Sequence, residues 1–492
     1  MGLSNSSDRR EPKTNSHARD TCMRRTQKTV NSGRVALRTM LLLFLFSWSV
    51  QAQTATITWG TTYQTIQGFG VSNHGTNAPA LTSAQSTFLF SQTSGIGLSL
   101  LRTGVTEDGS CTSVSSSCAQ NEDPASDLQA CVANGCQVIA APWTPPASMK
   151  TNGNLSCNAG AGNGTLASGS FGTFATYLSN YITSLSTYLS VPLYAISVQN
   201  EPDICAGYDS SLFSAAQIDT FVKTNLGPTL SANGQGSVQI VIPDSSQYGL
   251  LTTYAGTCMG DSSCSQYVGI TAFHAYDAPT TINNPYSTPL WMTEISAGSD
   301  FGPQTCSGGS WCPTISDALY WASEIDSYLS QGLSAWFWFD TQQNCSNNDC
   351  NEGLYNYYNG GQLAIRAYAI GNWSKFVRPG WVRMDATHAP QSGVSVSAYS
   401  NPSTGNFAIV VINQNGSDVS QTFTLNQFTS VASVTPWVTS ASLSLAQQSD
   451  VAVSGGTFSY TLPADSVTTF VAPAGNISST PRPPTNLAAT IR

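Results

Sequence analysis

Hydrophobic and polar positions along the chain change their rhythm once, near Phe376. Before that point short apolar runs alternate with segments of helical length, and eight runs can be read, at 67–72, 98–105, 137–142, 193–200, 238–243, 268–276, 290–296 and 333–340. Apolar and β-branched residues occupy successive positions in them, as in parallel strands covered on both faces. Between them, 171–189 and 315–329 repeat aromatic and aliphatic residues at intervals of three and four, the helical period. Eightfold repetition of strand and helix predicts an α/β fold, a (β/α)8 barrel over 67–375. After Phe376 the runs at 393–399, 406–413, 420–425, 430–438 and 457–462 alternate apolar with polar between Gly, Asn, Pro and Ser turns, which predicts a β-sandwich over 376–473. The strand-like segments 54–59 and 63–66 have no barrel partner, so 53–66 is expected to join the sandwich.

One run stops abruptly. LYAISVQNEP, at 193–202, ends in an amide, a carboxylate and a proline that cannot continue a sheet ladder, so Asn200 and Glu201 belong at the carboxyl end of the fourth strand. PLWMTEIS, at 289–296, has the same shape and carries Glu294. Barrels of this kind keep their catalytic groups at that end. Hydrolysing a glycosidic bond needs an acid to protonate the departing oxygen and a second carboxylate at the oxocarbenium-like centre, and two strand-end glutamates fit that need. Asn200 would donate to the hydroxyl beside the reacting carbon. The competing reading of either glutamate is a solvated loop residue.

Other strand ends supply further candidates. Arg102, in LLRTG, would hold a carboxylate ionised, the nucleophile first of all, unless it is a purely structural ion pair. Trp143 after the third strand and Trp338 near the end of the eighth offer indole faces for a sugar ring, with core packing as the alternative. His274 and Tyr276 end the sixth strand and can hydrogen-bond the nucleophile or the sugar.

The leader and the composition lead to an expectation of secretion. Residues 1–52 hold nine of the 18 Lys and Arg and three of the 27 acids, and end in MLLLFLFSWSV followed by Gln51 and Ala52. That run is too short to span a bilayer and reads as a secretory signal cut after Ala52, with an amino-terminal membrane anchor left uncut as the alternative. The chain beyond Ala52 carries a net charge of about −15, which disfavours nucleic acid and anionic membrane surfaces as partners. Twelve of the 13 cysteines lie beyond the leader. Close spacing suggests pairs 111–118, 131–136, 258–264, 306–312 and 345–350, leaving Cys157 for Cys205. With no Cys-x-x-Cys and only four histidines, no metal is expected, and no cofactor. Residues 474–492, rich in Pro, Ser, Thr and Asn, read as a tail or linker.

At a larger scale the chain resembles glycoside hydrolase family 30. YQTIQGFG at 63–70, APWTPPASMKTNG at 141–153, VPLYAISVQNEP at 191–202, LWMTEIS at 290–296, KFVRPGWVRMDAT at 375–387 and LPADSVTTF at 462–470 stand in the family's order. The resemblance implies a retaining reaction with Glu201 as acid/base and Glu294 as nucleophile, carboxyl groups about 5 to 5.5 Å apart, and no cofactor. KFVRPG followed by VRMDAT is most similar to the xylanase branch, whose glucuronoxylan-specific members hold the uronate with an arginine and tyrosines after strand eight. Here that region, DTQQNCSNNDCNEGLYNYYNGG at 340–361, has no Lys or Arg. The expectation is therefore a secreted, monomeric endo-β-1,4-xylanase with weak or absent dependence on glucuronic acid branches. The alternatives are a β-1,6-glucanase, β-1,6-galactanase or glucosylceramidase of the same family, or a carbohydrate-binding or adhesion protein without catalysis.

Overall fold

The computed structural model describes residues 54–472 apart from 75–77, 121–122, 161, 298–310, 345–350, 359 and 429–430. The leader and the tail beyond 472 lie outside the described residues. Eight parallel strands close into a barrel: Gly68–Ser72, Leu100–Gly104, Gln137–Ala141, Leu193–Ser197, Gln239–Ser245, Val268–His274, Leu290–Glu294 and Ala335–Phe339. Ladder pairing of the last strand with the first, from Gly68 opposite Ala335 to Ser72 opposite Phe339, completes the circle.

Strand alternation sorts the side chains into two cores. Leu100, Ile139, Ala195, Val241, Ile270, Ala272, Trp291, Ala335 and Phe337 fill the barrel interior. Their neighbours Leu101, Ala140, Ile196, Ile242, Phe273, Met292 and Trp336 face the helices. Gly70 is required by the first of these cores, since a Cβ there would sit 2.3 Å from the Phe337 ring. In the helix Phe171–Leu189 the buried Phe174, Tyr177, Leu178, Tyr181, Ile182 and Leu185 lie on one stripe at spacings of three and four, which is the face it lays on the barrel. Helix Ile315–Ser330 begins at Thr314, whose side chain accepts from the Asp317 amide.

The second layer is a ten-stranded sheet. Thr54–Thr65 forms one strand in it, parallel to Val419–Asn426 and antiparallel to Val382–Ala386. In sheet order Ser466–Val471 lies five strands from Val419–Asn426, about 24 Å if the sheet were flat. Yet the rings of Phe470 and Phe423 are 5.2 Å apart, so the sheet folds over on itself and encloses Ile57, Met384, Val396, Ile409, Val411 and Phe458.

Strand Phe407–Asn413 joins the two bodies through its alternation. Phe407, Ile409 and Val411 face the sandwich core, while Ala408, Val410 and Ile412 belong to the core shared with the barrel helices. Asn372, fully buried on helix Ile365–Ser374, donates to the Trp437 carbonyl and the Thr469 hydroxyl across this contact.

Disulfides join Cys111 to Cys118, Cys131 to Cys136, Cys157 to Cys205 and Cys258 to Cys264. The expected pairs 306–312 and 345–350 involve residues outside the described ones. Among the described residues no helix is long and apolar enough to cross a membrane.

Candidate active site

The carboxyl ends of the barrel strands bring one guanidinium, one imidazole and three carboxyl groups together. Leu100 points into the barrel, so Arg102 two positions on does too, and it is the hub. Its Nη1 lies 2.6 Å from Glu294 Oε2, and its Nη2 donates to Asn200 Oδ1 at 2.5 Å and to Asp244 Oδ2 at 3.1 Å. Because a guanidinium can only donate, this fixes the Asn200 amide with its oxygen inward and leaves its nitrogen for a ligand.

His274, inward by alternation with Ala272, lies between the carboxylates: Nδ1 is 3.1 Å from Glu201 Oε1 and 3.8 Å from Glu294 Oε1, and Nε2 is 3.5 Å from Asp244 Oδ1. Burial alone would lower its proton affinity. The Glu294 charge, the hydrogen bonds to Asp244 and Glu201 and the Asp244 charge outweigh that and push it up to about 10. His274 is therefore a cation at neutral pH. Burial would raise the Asp244 carboxyl, but Arg102 and His274, with the Thr293 hydroxyl 2.5 Å away, hold it well below the usual carboxylate range. The Tyr276 phenol is pushed well above its ordinary value by burial and then by the Glu294 and Glu201 charges, so it stays protonated and donates to Glu294 Oε1 at 2.9 Å.

Two of the carboxylates owe their direction to irregular backbone. Alternation from Trp291, inside the barrel, through Met292, outside, would send Glu294 out toward the helices. Instead Phe273 pairs with Met292 and His274 with Glu294, so Thr293 is an extra residue that turns Glu294 inward. A second shift, between Pro243 and Ser245, does the same for Asp244. Glu201 and Asp244 both take left-handed conformations, φ 44° and 61°, and the Glu201 amide donates to the Asp244 carbonyl at 2.9 Å. Non-glycine residues held there cost on the order of 1–3 kcal/mol each and concentrate at functional sites.

The fourth strand's regular ladder ends at Ser197, earlier than the residue pattern suggests, and Asn200 and Glu201 lie beyond it on a short irregular segment. Glu201 and Glu294 oxygens approach within 4.8 Å of each other. Glu294 is bound by Arg102 and Tyr276; Glu201 meets no guanidinium among the described residues and is bound by His274 and by the Tyr208 hydroxyl at 3.3 Å. Trp143 borders the site with little open surface, its ring 4.6 Å from the Arg102 guanidinium carbon and 3.9 Å from the His74 ring.

Trp338 is a correction. Alternation with Ala335 and Phe337, both inside, puts it on the helix side, fully buried (0% exposed). Its ring packs 4.8 Å from Trp321 and 4.7 Å from the Arg366 guanidinium carbon, and its indole nitrogen donates to the Glu352 carbonyl. No sugar reaches it; the inward position at that strand end is Phe339. Arg366 is likewise buried, on Asp317 and Asn351.

Sequence reasoning missed Asp244, Thr293 and Tyr208. Asp244 carried a usable signal, being a third carboxylate directly after an apolar strand, in IVIPD. Tyr208, on a loop seven residues past Glu201, carried none.

Two side-chain groups among the described residues have metal-like geometry. Glu201, His274 and Glu294 form one, but the imidazole there is a cation that donates protons. Asp219, Cys258 and Cys264 form the other, with both sulfurs joined in a disulfide.

Comparison with known proteins gives a consistent outcome. The sequence model of the glycosyl hydrolase family 30 TIM-barrel domain matches residues 124–343, and that of the family's beta sandwich domain matches 380–470. Glucuronoxylanase XynC of Bacillus subtilis (strain 168) is 30% identical over 420 residues, covering 83% of this chain and 89% of that protein. Among solved structures, the glycoside hydrolase family 30 subfamily 8 xylanase Xyn30A from Clostridium acetobutylicum superposes with a TM-score of 0.73 at 31% identity, over 86% of this chain and all of the other. The catalytic domain of the family 30 xylanase C from Talaromyces cellulolyticus gives 0.69 at 26%, with the same coverage.

Proposed function

The chain belongs to glycosyl hydrolase family 30, and from that premise we propose that it is a secreted endo-1,4-β-xylanase that hydrolyses xylan by double displacement, without needing glucuronic acid branches. The observation that carries the mechanism is the unequal company of the two glutamates. Glu294, on the Arg102 guanidinium and the Tyr276 hydroxyl, is held as an anion aimed into the cleft and attacks the anomeric carbon. Glu201 delivers a proton to the departing oxygen and then draws one from the water that releases the glycosyl-enzyme. The division follows the partners: Glu294 carries the guanidinium contact, whereas Glu201 meets none among the described residues. Oxygens within 4.8 Å of each other agree with direct attack by a carboxylate better than with the wider gap an intervening water needs.

Xylan as substrate rests on similarity to the Clostridium and Talaromyces xylanases. Independence of uronate rests on the basic residues themselves. Seven lie among the described residues, and each is engaged: Arg102 in the cluster, Arg366 on Asp317, Lys223 on Asp219 and Asp261, Lys150, Lys375 and Arg378 on backbone carbonyls, and Arg383 over the Tyr63 ring. A carboxylate branch finds no open guanidinium fork among them.

Mass spectrometry of products from glucuronoxylan, unbranched β-1,4-xylan, β-1,6-glucan and β-1,6-galactan tests the proposal. Linear xylo-oligomers from both xylans are expected. Products from glucuronoxylan alone, each with one uronate, would overturn branch independence, and cleavage of a β-1,6 polymer alone would overturn the substrate.

A further inference from the structure

Lys150 is a buried ammonium, 6% exposed, that faces no carboxylate within ion-pair distance among the described residues. Its Nζ donates instead to two carbonyls, Leu155 at 2.5 Å and Ser210 at 2.7 Å. Burial pushes it down to about 8 against the opposing Asp209 charge, so the site keeps this cation at a cost. The two carbonyls lie on different loops. Leu155 comes after the third barrel strand and Ser210 after the fourth, beyond Glu201.

These loops are joined at further points. Cys157 is bonded to Cys205, the Asn158 amide donates to the Ala206 carbonyl at 3.3 Å, and the Leu212 amide to the Gly164 carbonyl at 3.1 Å. The Ser210 hydroxyl accepts from the Cys157 and Ala206 amides and lies 3.0 Å from the Tyr208 carbonyl. Tyr208 is the residue this assembly presents to the cleft, 54% exposed, with its hydroxyl 3.3 Å from Glu201 Oε2.

We propose that Lys150 is a positioning residue for the proton-transfer step: it fastens the loop after the third strand to the loop after the fourth, and so holds the Tyr208 hydroxyl against Glu201. The proposal rests on the reading of Glu201 as the acid. Without the ammonium, the buried Ser210 carbonyl loses its donor and the Leu155 carbonyl keeps only the Ser210 amide at 3.3 Å, so the loop carrying Tyr208 loosens and the carboxyl is no longer fixed on the leaving oxygen. Glu294, held by Arg102 and Tyr276 on the other side, is untouched.

This separates by leaving group. A sugar alkoxide needs the acid's proton to depart; a nitrophenolate does not. kcat/KM, which reports steps through the first bond cleavage, is measured for Lys150→Met, Tyr208→Phe and Glu201→Gln on a xylo-oligosaccharide and on a nitrophenyl xylobioside. For Lys150→Met and Tyr208→Phe the oligosaccharide value should fall about tenfold or more, part of the roughly hundred- to ten-thousandfold that a general acid contributes, and the aryl value by less than about twofold. An equal fall on both substrates, or none, overturns the proposal. Should Lys150→Met fail to fold, Tyr208→Phe decides alone: an unchanged oligosaccharide rate removes the hydroxyl from the step and the proposal with it. Glu201→Gln separates the two levels. Its own selective loss alongside an unselective Lys150→Met sinks only the positioning role, whereas an equal loss for Glu201→Gln sinks the acid assignment as well.

Discussion

His274 should be positively charged throughout the range in which the enzyme works, and its removal should destabilise the protein in a way that depends on pH. Raising the imidazole from 6.5 to about 10 corresponds to a differential interaction on the order of 5 kcal/mol. The folded state holds this proton more tightly than the unfolded chain does. The stabilisation is therefore complete below pH 6.5 and is lost as pH rises through about 10. In His274→Gln, Arg102 is left as the one cation facing Glu294 and Asp244, and Glu201 loses its cationic partner; breaking buried ion pairs of this sort costs about 3–5 kcal/mol. Urea unfolding of the wild type and the variant should differ by about that much at pH 6, with the gap narrowing steadily toward pH 10. NMR of the ring protons gives the same information directly, since there are only four histidines. A stability gap that stays flat or widens with pH, or a His274 ring titrating below pH 8, would refute the charge assignment.

Glu294→Gln should lower turnover on xylan at least about a thousandfold while leaving glycan binding intact, because nucleophile loss removes the covalent route; unchanged turnover removes Glu294 from the mechanism. Asp244→Asn takes a charge from Arg102 and His274 and keeps the shape but only one of the two acceptor oxygens, so either Arg102 or Thr293 is left facing an amide nitrogen. It should reduce kcat more than KM and destabilise by about 3–5 kcal/mol in chemical unfolding; wild-type stability would mean Asp244 is not charged in the folded protein. Trp338→Phe removes the indole bond to the Glu352 carbonyl and the Arg366 contact, costing about 1–3 kcal/mol. KM on xylan should not move, and a several-fold rise would return Trp338 to the binding surface.

Much of this arrangement is legible without coordinates, because it depends on local pattern. Buried strands must be apolar and must end where proline, amide and carboxylate appear, so the eight runs, and Glu201 and Glu294 at strand ends, come from residue type and period. Arg102 can be named because nine basic residues lie beyond the leader and one of them stands at a strand end. Attention to the same alternation would have moved Trp338 to the helix face, since Ala335 and Phe337 fix the inside.

The chain alone does not determine which way a carboxylate points once a ladder slips. Period two sends Glu294 outward with Met292, and Asp244 outward with Ile242. Both turn inward because the neighbouring strand pairs one residue fewer at Thr293 and at Asp244. Register is a contact between segments about twenty residues or more apart in sequence, set by how the closed barrel packs, so the cluster of Arg102, His274, Asp244, Glu201 and Glu294 exists only in the folded protein.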